Sequence, residues 1–342
     1  MKLRVRDIAK AAGVSPATVD RVLNNRPGVH PRTTERVQQA VGRLSQLDAE
    51  SLDHYLGGAR RPKSVDFLIP TGTNVFLRSM AEEVDRKREE FALFGVEPRS
   101  HKLDSFDPKL IADRLRELAL DSDGICVVAV DHPMVRAAIT ATVDSGVPVV
   151  TLVTDISNSR QVSYVGIDNF AAGRTAGYLV GRFLAGRAGE VGLIAGSVTY
   201  RGHAEREQGF RSVLSEEFPQ LSASSILEGN DDDELSFEQA KQLLRRKPKL
   251  LGLYNIGAGS AGVARSLKEA NRGDAVFIAH ELNAITRTFL LDGVLDAIIN
   301  QNFAIEVRNA IKIIMNYHAG RDLSSNTEPV PIEVFLRENL NW

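Results

Sequence analysis

Pro16, Ala17, Thr18 and Arg21 stand at the start of a short apolar-periodic stretch opened by Ser15-Pro16, an N-cap hydroxyl followed by the residue best tolerated at the first helical position. On such a helix end an arginine can bridge guanine O6 and N7 or grip a phosphate. A threonine can bond a phosphate oxygen, and an alanine offers only an apolar contact to a thymine methyl. Asn24, Arg26 and the backbone around Val29 follow as candidates for orienting phosphate contacts. One exposed arginine is an ordinary solvated residue. Here turn chemistry, charge and spacing coincide, and together they point to double-stranded DNA as a partner.

A second set of polar and aromatic residues sits where predicted strands end. Asn74 and Phe76 follow the first strand, Asp131 follows GICVVAV, Asp155 follows VPVVTLV, and Arg206 opens a helix after VGLIAG. Asn255 closes LLGLYN, Glu281 follows AVFIA, and Gln301 follows DAIIN. Carboxylates, amides and an arginine beside an aromatic face suit a sugar or polyol, whose hydroxyls donate and accept while its C–H face stacks. Each has a plainer alternative: Asp131 and Asp155 as caps or turn formers, Phe76 as core, Arg206 paired on the surface with Glu205 or Glu207. A purine or another non-sugar metabolite is the alternative ligand. The seven histidines form no HxH or HxxxH pair, and nothing resembles a nucleophilic motif, so no metal, cofactor or catalytic residue is expected. Gly257, Gly259 and Gly262 could suggest a dinucleotide loop, but they come late in the chain and close helix packing explains them. A nicotinamide enzyme is the least favoured reading.

The elements that must position these residues are readable from periodicity. Ile8, Ala9, Ala12, Val14, Val19, Val22 and Leu23 recur at the spacing by which two short helices around Gly13 bury their faces together. A third helix is predicted from about Pro31 to Leu47, with Val37, Val41 and Leu44 inward and Arg32, Arg36 and Arg43 outward. Residues 1–47 carry nine Lys/Arg against three acids, +6 by count, which leaves -8 for the rest of a chain whose net charge is -2. That asymmetry marks a polyanion-binding head on an acidic body. After the glycines and prolines near Gly57-Gly58 and Pro62, short apolar runs alternate with amphipathic stretches: SVDFLI, EPRSHK, GICVVAV, VPVVTLV, VGLIAG, LLGLYN, AVFIA and DAIIN. SYVGIDNF, a short strand leading into a glycine-punctuated helix, divides them into a group up to about Val165 and one from about Glu190. The expected fold is α/β: a three-helix helix-turn-helix head and two doubly wound parallel-sheet lobes with a cleft at their strand ends. Cys126, the single cysteine, lies in an apolar strand, which excludes an intrachain disulfide. No apolar run approaches the roughly 18 residues of a membrane span and no leader opens the chain, so a cytoplasmic protein is expected.

DIAKAAGVSPATVDRVLNN followed by RPGV, then TLVTDI, YVGIDNFAAGRTAGYLVGRFL, REQGF, GLYNIGAG, AHELN, INQNF and FLRENL, resembles the lactose-repressor (LacI/GalR) family of bacterial transcription regulators over nearly the whole chain. The resemblance implies a periplasmic-binding-protein-like body, a homodimer on a pseudo-palindromic operator, and a small-molecule effector whose contacts include Arg206. It implies a head at 1–47, a hinge helix and linker at 48–63, and an effector-binding domain at 64–342. The first lobe would comprise about 64–167 and 302–325, the second about 168–301 and 326–342, with three crossings between them. Leu52 or Leu56 of LDAESLDHYL would be the hinge residue wedged between base steps. Asp48, Glu50 and Asp53 depart from the family pattern there and bring negative charge toward phosphates, so weaker DNA bending is expected.

Overall fold

The computed structural model describes residues 4–24, 26–45, 61–92 and 94–340. The chain divides into two compact units, residues 1–64 with 86–98 and residues 65–85 with 99–342. Of the expected hinge only residues 61–63 are described; Leu52 and Leu56 lie outside the described residues.

In the first unit α1 (Val5–Ala12), α2 (Pro16–Leu23) and α3 (Pro31–Ser45) close on Ile8, Ala9, Ala12, Val19, Val22, Val37, Ala40 and Leu44. Gly13 ends α1 at φ +62°, a conformation only glycine adopts at no steric cost. Arg36, expected on the outer face, donates from Nη2 to the Ala12 carbonyl at 2.6 Å and so caps the last turn of α1. Ser15 Oγ accepts the Thr18 N–H at 3.1 Å and starts α2. Leu23, expected in the core, is 48% exposed, because it lies one residue, about 100° of helix, beyond the inward Val22.

Two sheets organise the body. The first has the order β2-β1-β3-β4-β5, built from β1 (Lys63–Pro70), β2 (Val96–Leu103), β3 (Gly124–Val127), β4 (Val149–Leu152) and β5 (Ser163–Val165). The second has the order β11-β10-β9-β8-β6-β7, from β6 (Gly189–Ala195), β7 (Leu221–Glu228), β8 (Gly252–Asn255), β9 (Val276–His280), β10 (Ala297–Asn300) and β11 (Glu333–Phe335). Helices follow the strands: α4 (Val75–Arg86), α5 (Arg88–Ala92), α6 (Pro108–Leu118), α7 (Pro133–Asp144), α8 (Asn169–Phe183), α9 (Arg201–Glu217), α10 (Asp233–Arg246), α11 (Ser260–Glu269), α12 (Ala284–Leu291) and α13 (Phe303–His318). The chain passes from the first sheet to the second after β5. It returns after β10, where α13 packs on β4 and β5, and crosses again to pair β11 with β10.

The strands β3, β4, β8 and β9 are buried along their whole length, as covered parallel strands must be. Asp66 would be a defect in β1, which is buried from Ser64 to Pro70. Burial pushes its carboxyl up, but His101 (2.6 Å) and Arg99 (2.8 and 2.6 Å) on β2 satisfy both oxygens and hold it below the usual carboxylate range. Neither β7 nor β11 was among the expected strands, and β11 runs antiparallel where only parallel pairing was expected. Both are sheet edges with partly exposed, polar-interrupted sequences, so neither carries a continuous apolar run. α8 and α9 pack backbone to backbone: a Cβ on Gly173 would stand 2.0 Å from the Arg206 carbonyl oxygen, and one on Gly209 2.1 Å from that of Phe170.

Candidate ligand cleft and nucleic-acid interface

Pro16, Ala17 and Arg21 are exposed along α2, and the Arg21 side chain makes no hydrogen bond or ion pair among the described residues. Its five donors therefore remain available. Thr18 shares its hydroxyl with Ser15 Oγ at 2.9 Å. Asn24 and Arg26 are less free, since both lean on Asp20: Asn24 Nδ2 donates to its Oδ1 at 2.8 Å and Arg26 Nη1 to its Oδ2 at 3.2 Å. Such contacts fix the two side chains in place at the end of the helix.

In the body, a cavity of about 350 Å³ opens where strands of both sheets end. Asn74, Phe76, Arg206, Glu281 and Gln301 all line it. Arg206 points inward from α9, its neighbours Glu205 and Glu207 being engaged by Arg201 and Arg211 instead. It is 4% exposed. Its Nε donates to Asn169 Oδ1 at 2.8 Å and its Nη1 to the Ile256 carbonyl at 2.9 Å, which leaves Nη2 out of both bonds, with no carboxylate paired to it among the described residues. Four further polar atoms around the cavity are buried without a hydrogen-bond partner: Tyr200 Oη, His280 Nδ1, Glu281 Oε2 and Gln301 Oε1. Buried polar groups are nearly always satisfied, so these atoms mark a part of the cavity wall that could hold a hydrogen-bonding ligand or water.

The backbone at this site is strained in a consistent way. Val153, Asp231 and Glu281 line the cavity with φ of +64°, +55° and +69°, the left-handed region that side chains other than glycine rarely occupy. Val153, β-branched, is held there by its carbonyl, which accepts from Tyr164 Oη (3.1 Å) and Asn169 Nδ2 (3.2 Å). Glu281 is partly exposed as a residue, yet its carboxylate end is buried. Burial pushes its pKa up to about 7 against the pull of Arg206, and Gln301 Nε2 donates to its Oε1 at 2.7 Å. Glu306, at the first turn of α13 and wholly buried, has neither oxygen partnered; burial and Glu281 raise its pKa well above the ordinary value. His280 shares a proton with Tyr254 Oη at 2.7 Å through Nε2 and is kept neutral by burial.

Three expected contacts fall elsewhere. Asn255 is fully buried behind the cavity wall, its Nδ2 donating to the Gly257 and Ala258 carbonyls and to Ser260 Oγ at 2.9–3.1 Å, so it shapes the loop rather than facing the cleft. Asp155 accepts from Thr151 Oγ1 (2.8 Å) and Gln161 Nε2 (2.9 Å) and staples the turn between β4 and β5, the turn-forming alternative. Asp131 borders an adjoining cavity. Asp231 was not expected at all. Its Oδ1 accepts the Ala258 N–H at 2.8 Å, its Oδ2 accepts from Asn74 at 3.1 Å, and Thr73 Oγ1 donates to its carbonyl at 3.1 Å, so it joins the two lobes. Thr154, whose Oγ1 accepts the Gly202 N–H at 3.0 Å, does the same. Gly262 is a packing glycine, as a Cβ there would lie 1.8 Å from the Asp233 carbonyl oxygen. Among the described residues no cluster of three or more His, Cys, Asp or Glu could hold a metal ion, and no helix is long and apolar enough to cross a membrane.

Residues 4–45 match the profile of bacterial regulatory proteins of the lacI family, and residues 107–322 match that of the periplasmic binding protein domain. The chain belongs to the lacI family, with a periplasmic binding protein domain as its body. Catabolite control protein A of Priestia megaterium is 24% identical to it over 258 residues, 74% of each chain. The HTH-type transcriptional repressor PurR of Haemophilus influenzae is 26% identical over 278 residues, 77% of each. In fold, the body is similar to GanP, a glucose-galactose binding protein from Geobacillus stearothermophilus, with a TM-score of 0.75 and 22% identity over 83% of this chain and all of that one. As a lacI-family protein the chain is a DNA-binding transcriptional regulator, and the family implies operator DNA and a small-molecule effector as its partners.

Proposed function

We propose that this lacI-family regulator is a cytoplasmic repressor that binds a pseudo-palindromic operator as a homodimer and whose operator affinity is set by a small uncharged sugar or polyol in the cleft. The observation that carries this reading is the buried, carboxylate-free Arg206 facing a ring of unsatisfied donors and acceptors. A hydroxylated ligand meets both needs at once. An anionic effector is disfavoured, because Asp231, Asp232, Asp233, Glu234 and Glu281 outnumber Arg78 and Arg206 around the cavity. Contacts from both lobes give the effector a means of favouring one lobe arrangement, and hence one spacing of the heads. The cleft performs no covalent chemistry in this account; turnover of a bound sugar would contradict it.

A thermal-shift screen of sugars, polyols and nucleobases tests the reading. A ligand that binds only the folded cleft raises apparent stability by about 2.7 kcal/mol at a hundred times its Kd. Stabilisation by a carbohydrate is expected; stabilisation by nucleobases alone would transfer the site to a non-sugar metabolite. Sedimentation at micromolar concentration is expected to give a dimer mass, and a monomer there would remove the two-head mechanism.

A further inference from the structure

The cleft continues past Tyr200. A second cavity of about 420 Å³ is lined from the first lobe by Phe106, Pro108 and Asp131 and from the second by the Gly196–Tyr200 turn, and it shares Tyr200 and Asp231 with the first. It is closed by contacts of its own between the lobes. The Asp131 N–H donates to the Thr199 carbonyl at 3.1 Å, and the Phe106 ring stands edge-on to Tyr200 with centroids 5.7 Å apart.

Two polar atoms here have no hydrogen-bond partner. Tyr200 is 6% exposed at the waist where the cavities meet, and its hydroxyl is unpartnered, although a buried tyrosine O–H ordinarily finds an acceptor. Asp131 Oδ2 accepts from Ser157 Oγ at 2.8 Å, but its buried Oδ1 accepts from no group. Arg136 Nε, at 3.6 Å, is too far for a hydrogen bond. Beside them Phe106 and Pro108 supply an apolar wall of the kind that receives the C–H face of a pyranose.

Charge decides against an anion in this compartment. The helices α6 and α7 begin at its rim, but both N-termini are already capped, Asp107 accepting the Lys109 N–H at 2.8 Å and His132 Nδ1 the Met134 N–H at 3.2 Å. A phosphate would also face the Asp107 and Asp131 carboxylates. Each compartment is near the lower end of the roughly 300–1,000 Å³ range of small-ligand sites, so one sugar ring fills one of them and leaves the other's polar atoms unspent.

We propose that the effector is an uncharged two-unit glycoside, with one sugar ring against Arg206 and Glu281, the other against Phe106 and Asp131, and the linkage passing the Tyr200 hydroxyl. This rests on the reading of the cleft as a carbohydrate site. Occupation of both compartments clamps the lobes at Asn74–Asp231 and at Asp131–Thr199 together, so the longer ligand holds the closed arrangement that a single ring grips at one end only.

Calorimetric titration of the full-length protein tests this with glucose, galactose, xylose and arabinose on one side and cellobiose, maltose, lactose, melibiose and xylobiose on the other. At least one disaccharide is expected to bind about tenfold or more tightly than each of its component monosaccharides. Phe106→Leu and Asp131→Asn, which keep a side chain of similar bulk and line only the second compartment, are expected to weaken that disaccharide about tenfold while leaving monosaccharide affinity unchanged, and Arg206→Ala to abolish both. A monosaccharide that binds as tightly as every disaccharide containing it, or a disaccharide indifferent to both second-compartment variants, overturns the two-unit proposal and leaves the carbohydrate reading standing. Binding by none of these sugars overturns both.

Discussion

Arg21, proposed to read DNA, and Glu281, which lines the cleft, each make a prediction of their own. The Arg21 side chain has no partner among the described residues, whereas Asn24 and Arg26 are anchored to Asp20. Arg21→Ala is therefore expected to cost about 1–3 kcal/mol of operator binding, read by anisotropy titration, with discrimination relaxed at one base pair. Binding unchanged by the substitution would remove Arg21 from the reading contacts. Glu281 holds its proton to about pH 7 because its carboxylate is buried. A carboxyl raised in the folded state stabilises the fold below its ordinary pKa and loses that contribution as pH rises through the folded value. Apo stability should thus fall by up to about 3 kcal/mol from this group between pH 4.5 and somewhat above 7, and Glu281→Gln should flatten the curve in that window. Equal pH profiles for the two proteins would contradict the buried-carboxyl account.

The α8–α9 pair positions Arg206 and Asn169, and its glycines are the reason the two side chains meet. Gly173→Leu or Gly209→Val must separate the helices. Either is expected to destabilise the protein by about 3 kcal/mol or more in chemical denaturation and to weaken effector binding along with stability. A well-folded Gly209→Val protein with native affinity would mean that the close approach is not needed. Elements of this kind were readable in proportion to their apolar content. GICVVAV, VPVVTLV, LLGLYN and AVFIA announce buried parallel strands, and Ser15-Pro16 announces the start of α2. LSASSILE, the edge strand β7, carries three serines and has neither a continuous apolar run nor a regular alternation, so it is not legible as a strand, nor is Asp231 beyond it legible as a residue near a strand end. Asn255 was correctly placed at the end of β8, but a strand-end amide can turn either toward the cleft or back to the next loop, and sequence spacing does not distinguish these. Asp155 turns into its own loop for the same reason, and Asp131 faces the second cavity rather than the first. Phe76, Arg206, Glu281 and Gln301 line the cavity because the helix or crossover following each strand turns them inward.

For the complete regulator, the charge segregation and the two-lobed cleft have to act together. A head of +6 on a body of -8 predicts operator binding that weakens steeply with salt, each neutralised phosphate contributing about -0.9 to the slope of log K against log salt. A shallow slope would mean that the basic face is not the contact surface. Cross-lobe bonds at Asn74–Asp231 and Thr154–Gly202 hold the cleft shut from both sheets, so a ligand bound there has direct purchase on lobe arrangement. The account stands or falls on whether that purchase reaches the DNA. An operator selected from random duplexes should be titrated with the full-length protein, with and without a saturating carbohydrate identified by thermal shift, in wild type and Arg206→Ala. The expected result is a change in operator Kd of about 5- to 150-fold on adding the sugar, absent in Arg206→Ala although its sugar-free operator affinity is unchanged. An operator Kd that does not move when the cleft is occupied, or a shift that survives Arg206→Ala, would contradict a cleft-controlled regulator.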